Sequence, residues 1–271
     1  MAGKKDWEKT LTIYWSDELT DDFDERGLER PKIPEGYVYK RSWLSSFLGG
    51  ILYHLLAKPF LGLYCVFKGI KIVGKKKLKA LKGQGAFLYA NHVAVTDVFK
   101  LQTRVFFFHR RINILGFPDA LTIPVAKHLV KAMGLLPVPD NGDVKHLIEL
   151  GETAEYYVQK KKQHVLIFPE AHIWPYYTHI RSFKSGSFIY PAKINAPVVP
   201  IVTTWRKPKI GKKPKQTVYI GQPIFPREDL TVQENKEYLH EECLKAMRQI
   251  AEGVPQYEYI KYIKVEKKDD K

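Results

Sequence analysis

The 271-residue chain is poor in cysteine and in acid. Its two cysteines, Cys65 and Cys243, lie far apart. That excludes a disulfide-stapled scaffold and any cysteine-rich zinc or iron–sulfur site, and fits a reducing compartment. Asp and Glu number 29 against 44 Lys and Arg, a formal net charge of +15. Such an excess points to an anionic partner, whether a membrane surface, a nucleic acid, or phosphate- and thioester-bearing metabolites, without choosing among them. A long uncharged run is missing too: residues 42–57 carry no charge, but this stretch falls short of the roughly 20 residues a spanning helix needs. The opening MAGKKDWEKT has neither the apolar run nor the cleavage site of a signal peptide, so residence in the cytoplasm is expected. What is present, 45% hydrophobic and 13% aromatic residues, excludes disorder and suffices for one large core.

The charge is unevenly placed. Residues 1–30 hold five basic and nine acidic side chains, and residues 31–82 hold eleven basic and one acidic. The second stretch also contains the most apolar part of the chain, 42–67. Within it Trp43, Leu44, Phe47, Leu48, Ile51, Leu52, Leu55 and Leu56 share one face of a helix, and Ser45, Ser46, Gly49, Gly50, Tyr53 and His54 fill the other. Lys58-Pro59 interrupts the run before a second apolar piece, 59–67, so a helical hairpin is expected. The amphipathic face suits either the membrane interface, with Lys68, Lys71, Lys75, Lys76, Lys77, Lys79 and Lys82 drawn to an anionic leaflet, or packing on the protein's own core.

From residue 70 onward β-rich runs alternate with helix-like stretches, the pattern of an α/β layered domain. Strands are expected at 69–73, 86–90, 164–168, 198–203 and 217–220. One helix begins at Asp143 as N-cap, with an apolar stripe of Val144, Leu147, Ile148, Ala154 and Val158, and ends in a run of lysines, 160–162. Another opens with Thr231 and Glu234 at capping-box spacing, carries Leu239, Cys243, Met247 and Ile250, and stops at Gly253. The expected fold class is therefore α/β: a single layered domain with a central, mostly parallel β-sheet flanked by helices, preceded by an N-terminal amphipathic helical segment. Its divisions are a polar tail, 1–41, the helical segment, 42–67, the folded domain, 68–253, and a charged tail, 254–271. The lysine-rich stretch 206–215 reads as a basic surface loop.

Two clusters could carry chemistry. His92 leaves the expected strand 86–90 at its carboxyl end, where open α/β sheets place ligands, and Asp97 lies one turn further on. An Asp on one ring nitrogen fixes the tautomer and leaves the other nitrogen to remove a proton from a hydroxyl. The same residues also suit a strand-end His held by local hydrogen bonds. The second cluster follows the strand 164–168: Glu170, then Arg181, Lys184 and Gly186, a carboxylate and two cations able to orient a polar substrate.

Taken together the clusters resemble the phospholipid/glycerol acyltransferases, the lysophosphatidate acyltransferase-like family. The resemblance is carried by Asn91, His92 and Asp97 (N-H-x-x-x-x-D), by Phe168-Pro169-Glu170, by Phe183, Lys184 and Gly186 (F-K-x-G), and by the strand Val198-Val199-Pro200-Ile201, in order over residues 86–205. It implies a membrane-associated enzyme that moves a fatty acyl group from a thioester donor, acyl-CoA or acyl-carrier protein, to a lipid hydroxyl such as that of lysophosphatidate. No other cofactor and no metal is implied. His92 would be the base and Asp97 its orienter, in direct transfer; the chain has no Ser or Cys nucleophile motif. Asn91, Glu170, Arg181, Lys184 and Gly186 would form the substrate side. The implied location is the cytoplasmic face of a membrane, with an anionic membrane surface and a lyso-lipid as partners.

Two departures bear on the acceptor. The run Gly134-Leu135-Leu136-Pro137-Val138-Pro139-Asp140 has no arginine where the family usually places one, and Phe168-Pro169-Glu170 is followed by Ala171-His172-Ile173 in place of G-T-R. Either Arg181, Lys184 and Lys193 supply the charge, or the acceptor is not a phosphate. The inserted aromatic stretch, with His172 and Tyr176-Tyr177, either reads a head group or packs as core. A catalytically silent membrane-surface protein of the same fold is one rival reading, and a nucleic-acid-binding protein is a second. Nucleic-acid binding is not expected, because no reader motif is present. A near P-loop at 69–75 has Lys76 where the Mg²⁺-binding hydroxyl belongs, and His240-Glu241-Glu242 lacks the second His of a zinc helix.

Overall fold

The computed structural model describes residues 10–23, 33, 36–94, 96–98, 100, 112–118, 130–131, 134–139 and 143–266. Its elements are β1 (Thr12–Trp15), a long helix α1 (Trp43–Phe67), β2 (Lys71–Val73), a 3₁₀ turn (Lys75–Leu81), β3 (Ala86–Ala90), β4 (Ile112–Gly116), β5 (Leu135–Pro137), α2 (Val144–Gln159), β6 (His164–Ile167), α3 (Ile189–Lys193), β7 (Val198–Arg206), β8 (Lys215–Ile220), α4 (Val232–Glu252) and β9 (Lys261–Lys264). Seven strands form one sheet in the order β2-β8-β7-β3-β6-β4-β5. Only the β7–β8 pair is antiparallel.

β3 sits in the middle because every one of its residues is apolar and can be covered on both faces. Alternation divides them. Phe87 and Tyr89 face a core built with Leu150 and Ala154 of α2 and Leu239, Cys243 and Met247 of α4. Ala86, Leu88 and Ala90 face a second core with Cys65, Ile70 and Leu81. α2 starts at the expected N-cap, where the Asp143 side chain accepts from His146 N. Of its expected stripe, Val144 and Ile148 lie exposed. α4 has the full capping box between Thr231 and Glu234 and buries Leu239, Cys243 and Met247 as its spacing requires. β4 and β5 were not among the expected strands.

The expected hairpin at 42–67 is instead one helix of 25 residues. Pro59 does not break it because Tyr53–Ala57 form a π-turn, in which the Lys58 N–H reaches back to Tyr53 O. The widened turn accommodates the proline, which has no N–H to give and whose ring would collide with a carbonyl of the preceding α-turn. At about 1.5 Å per residue the helix is long enough to cross a bilayer, which the uncharged run alone did not indicate. Its apolar face points away from the protein: Trp43 is 78% exposed, Phe60 74% and Phe67 78%. The stripe that docks is Tyr53, Ala57, Leu61 and Cys65, at fourfold spacing. Packing of the apolar face on the protein's own core is thereby overturned.

The two ends of the chain also differ from expectation. Residues 12–15 and 261–264 are not free tails but a two-stranded parallel sheet, β1 with β9. It closes over an aromatic cluster in which the Trp174 ring stacks on Tyr262 and meets Trp15, Phe23 and Tyr177. The aromatic residues of the inserted stretch after Glu170, Trp174, Tyr176 and Tyr177, therefore pack as core, while Ala171 and Ile173 line the cavity beside His92.

Strand direction brings several elements to one edge of the sheet. β2 runs opposite to β3, so α1 ends at the carboxyl edge of β3. There Arg206 donates to the Gly69 carbonyl. β7 continues five residues beyond the register Ala90↔Ile201 before pairing Arg206 with Lys215. The loop 207–214 thus projects past that edge, with Lys207, Lys209, Lys212 and Lys213 exposed and Ile210 91% exposed.

Candidate active site

At this edge β3 ends in Asn91, which is buried and acts as an extra rung of the sheet. Its side chain donates to Thr203 O at 3.0 Å and accepts from Thr203 N at 2.8 Å. Asn91 therefore fixes the point where the chain leaves the sheet; the expected substrate contact is not made by a side chain so engaged.

The next residue is His92. Its Nδ1 lies 3.3 Å from Asp97 Oδ2, a loose hydrogen bond of the kind found in unliganded sites. The same oxygen accepts from Val93 N and Ala94 N, each at 2.8 Å. Asp97 is thus held by the turn it orients. Its other oxygen pairs with the Lys100 ammonium. Burial raises the Asp97 pKa, but Lys100 and the His92 hydrogen bond outweigh it and hold the carboxyl below its ordinary value. The His92 ring stacks on Phe168, centroids 4.1 Å apart and planes 20° from parallel. With Nδ1 turned to Asp97 and the ring pinned on Phe168, Nε2 is left for the cavity that His92 lines.

Glu170 works from behind. It is buried and accepts from His92 N at 3.0 Å, from Arg181 N at 3.1 Å and from the Arg181 guanidinium at 3.1 Å. Trp174 N and Tyr176 N donate to His92 O and Val93 O. The loops after β3 and β6 are therefore one hydrogen-bonded unit.

The cavity beside His92 has a volume of about 580 Å³, within the usual span of ligand sites. It runs between β4, β5, β6 and α2, walled by Ile114, Leu115, Leu135, Leu147, Leu150 and Ile167. Among the described lining residues the polar side chains are His92, Lys184, Ser187 and Tyr190. Lys184 is exposed and brings the positive charge; a Cβ on Gly186 would meet open space there. The site thus combines a carboxylate-oriented imidazole with a mostly hydrocarbon chamber and one cation.

The acyltransferase family model matches residues 69–204, just over half of the chain. The chain belongs to the acyltransferase family. Among solved structures it is similar to the 1-acyl-sn-glycerophosphate (LPA) acyltransferase PlsC from Thermotoga maritima, at 16% identity and a TM-score of 0.48, covering 76% of this chain and 93% of that one. No curated protein matches it by sequence.

In this acyltransferase the structure brings together His92, Asp97, Lys184 and Gly186, and removes Arg181 from the substrate side. Arg181 is 0% exposed. Its guanidinium pairs with Glu170, donates to His172 O and Glu18 O, and lies over the Trp174 ring. Glu170 likewise positions protein backbone rather than ligand. His172 turns to Asp22, at 3.1 Å, and Lys193 pairs with Glu155, at 3.1 Å. Asp140 lies outside the described residues. Sequence reasoning missed Lys100, although its spacing of three from Asp97 was visible, because lysine ordinarily marks a solvated face.

Ala171 has φ 62°, a left-handed conformation that costs a non-glycine residue about 1–2 kcal/mol. This explains why glycine is usual after the F-P-E motif. Ala171→Gly is expected to raise stability by about 0.5–1 kcal/mol, after the greater entropy of glycine in the unfolded chain is deducted. Urea denaturation measures it; an unchanged or lower midpoint would contradict the reading.

Proposed function

We propose that the protein transfers a fatty acyl group from acyl-CoA or acyl-carrier protein to the hydroxyl of a lyso-lipid at a membrane surface, with His92 as general base. The observation that carries this reading is the Asp97-oriented imidazole opening on a mostly apolar cavity. The cavity takes the acyl chain. His92 Nε2 accepts the proton of the acceptor hydroxyl while that oxygen attacks the thioester carbonyl carbon. The tetrahedral intermediate then collapses, the C–S bond breaks, and the imidazolium returns its proton to the leaving thiolate. Asp97 supports the imidazolium formed between these steps.

With Arg181 internal and Lys193 paired, a phosphate on the acceptor would rest on Lys184 among the described cavity residues. Lysophosphatidate is the first candidate. That Lys184 alone brings charge among the described cavity residues also supports a second reading, an acceptor without phosphate. Offering the purified protein in vesicles labelled acyl-CoA and acyl-carrier protein, with phosphorylated and non-phosphorylated lyso-lipids, separates them. Transfer to lysophosphatidate supports the first, and transfer only to the others supports the second. No transfer to any acceptor, from folded protein, would favour the silent membrane-surface protein.

Membrane attachment is supported by the outward apolar face of α1 and by the position of its end beside the catalytic edge. Tyr53, Ala57 and Cys65 are buried, and Cys65 packs in the core beside β3, which favours a monotopic arrangement with the exposed face in one leaflet. The lysines of the loop 207–214, beside Lys68 and Lys71, would each add roughly 1 kcal/mol of attraction to an anionic leaflet. Burial of a Leu or Phe is worth about 1.5–3 kcal/mol. Leu55→Asp with Phe60→Asp is therefore expected to reduce co-sedimentation with anionic vesicles at least about tenfold, with the circular dichroism spectrum unchanged. Equal vesicle binding by variant and wild type would remove α1 as the anchor.

A further inference from the structure

Lys100 is the charged residue of the site that the His–Asp reading does not use. It is 1% exposed, and its ammonium pairs with the Asp97 oxygen that the turn amides and His92 leave over. A lysine is seldom buried so fully, because its charged form loses hydration. It is retained beside the one carboxylate that orients the proposed base. We propose that Lys100 is a positioning residue that moderates the basicity of His92: it occupies Asp97 Oδ1, fixes Oδ2 toward Nδ1, and offsets part of the carboxylate's charge. The inference rests on the general-base reading of His92 given above.

The direction of the effect follows from electrostatics. An imidazole facing an unpaired buried carboxylate is stabilised in its protonated form, and a protonated His92 cannot accept a proton from the acceptor. With Lys100 paired to Asp97, the imidazolium gains less from the carboxylate. Without the ammonium, Asp97 keeps the hydrogen bonds from Val93 N and Ala94 N that favour its ionised form, so its full charge reaches the imidazolium and the acid limb of the coupled pair moves upward. Among the described residues the other titratable groups near this pair are Glu170, whose charge is met by Arg181, and the buried Cys65 thiol on α1. Burial lowers the Lys100 pKa and Asp97 opposes that change, so the two groups hold each other ionised.

The test compares wild type with Lys100→Gln, which keeps a hydrogen-bond donor without the charge, and with Lys100→Arg, which keeps the charge. The acid limb of kcat/KM is followed in a transfer assay, and the His92 imidazole is titrated directly by NMR. For Lys100→Gln both readouts are expected to move up by about half a pH unit or more, and for Lys100→Arg to stay near wild type. An unmoved acid limb and imidazole in Lys100→Gln, or a shift of the same size in Lys100→Arg, would overturn the proposal. Should Lys100→Gln not fold, the charge-keeping variant decides alone: an unshifted titration supports the proposal and a shifted one refutes it. The NMR titration needs no turnover, so a protein that transfers no acyl group defeats the functional reading and leaves this measurement informative.

Discussion

Replacing His92 with alanine is expected to lower kcat/KM for acyl transfer by about 10²–10⁴, the usual contribution of a positioned general base. The fold should remain, because the His92 backbone, not its ring, carries the hydrogen bonds to Glu170 and Trp174. Asp97→Asn should lose a similar factor for a different reason. Its amide presents a different pattern of donors and acceptors to Nδ1 and to Lys100, so the ring loses the tautomer that leaves Nε2 free to accept. Initial rates with matched melting curves measure both. A His92→Ala variant with more than about a third of wild-type kcat/KM would assign the base elsewhere.

Glu170→Ala is expected to be the most destabilising single change at the site. It strands the Arg181 guanidinium in the interior and removes the acceptor of His92 N and Arg181 N. Breaking one side of a buried pair costs about 3–5 kcal/mol. Arg181→Met leaves the opposite charge stranded and should cost a comparable amount. The double variant Glu170→Ala, Arg181→Met should then lose clearly less than the sum, by about 2 kcal/mol or more, since neither charge is left alone. Urea midpoints of the four proteins give the coupling. Additive losses would mean that the two side chains act independently. Because the same carboxylate anchors the His92 backbone, activity should fall in Glu170→Ala even at temperatures where the variant is folded.

These two results separate what the sequence made legible from what it did not. β3, β6 and β7 were readable because strands covered on both faces become near-continuous apolar runs, as in Ala86–Ala90. α4 was readable because its capping box and stripe are local. The His92–Asp97 pair was readable for the same reason: five residues within one turn. The Glu170–Arg181 pair was not, because a ten-residue aromatic loop, 171–180, brings the partners together and Arg181 looks the same in sequence whether it faces a ligand or a carboxylate. β1 and β9 were read as tails because four-residue strands from opposite ends of the chain acquire meaning only once Trp174 and Tyr262 stack between them. α1 was divided at Lys58-Pro59 because a π-turn that accommodates a proline leaves no signature in hydrophobic spacing. The missing β5 has only three residues and ends at Pro137, which normally argues against a strand, and β4, as long as β3, carries the polar Asn113 in its run.

In the proposed mechanism His92 activates the lipid hydroxyl for direct attack on a thioester. A rapid-quench single turnover with a radiolabelled acyl thioester, excess protein and a lyso-lipid acceptor tests it most directly. The label is followed in the lipid product, in the donor and on the protein chain. Label is expected to pass from thioester to lipid with none on the protein at any time, and no donor is expected to be consumed when the acceptor is withheld. Acylated protein forming before the lipid product, at a rate that His92→Ala leaves unchanged, would contradict it.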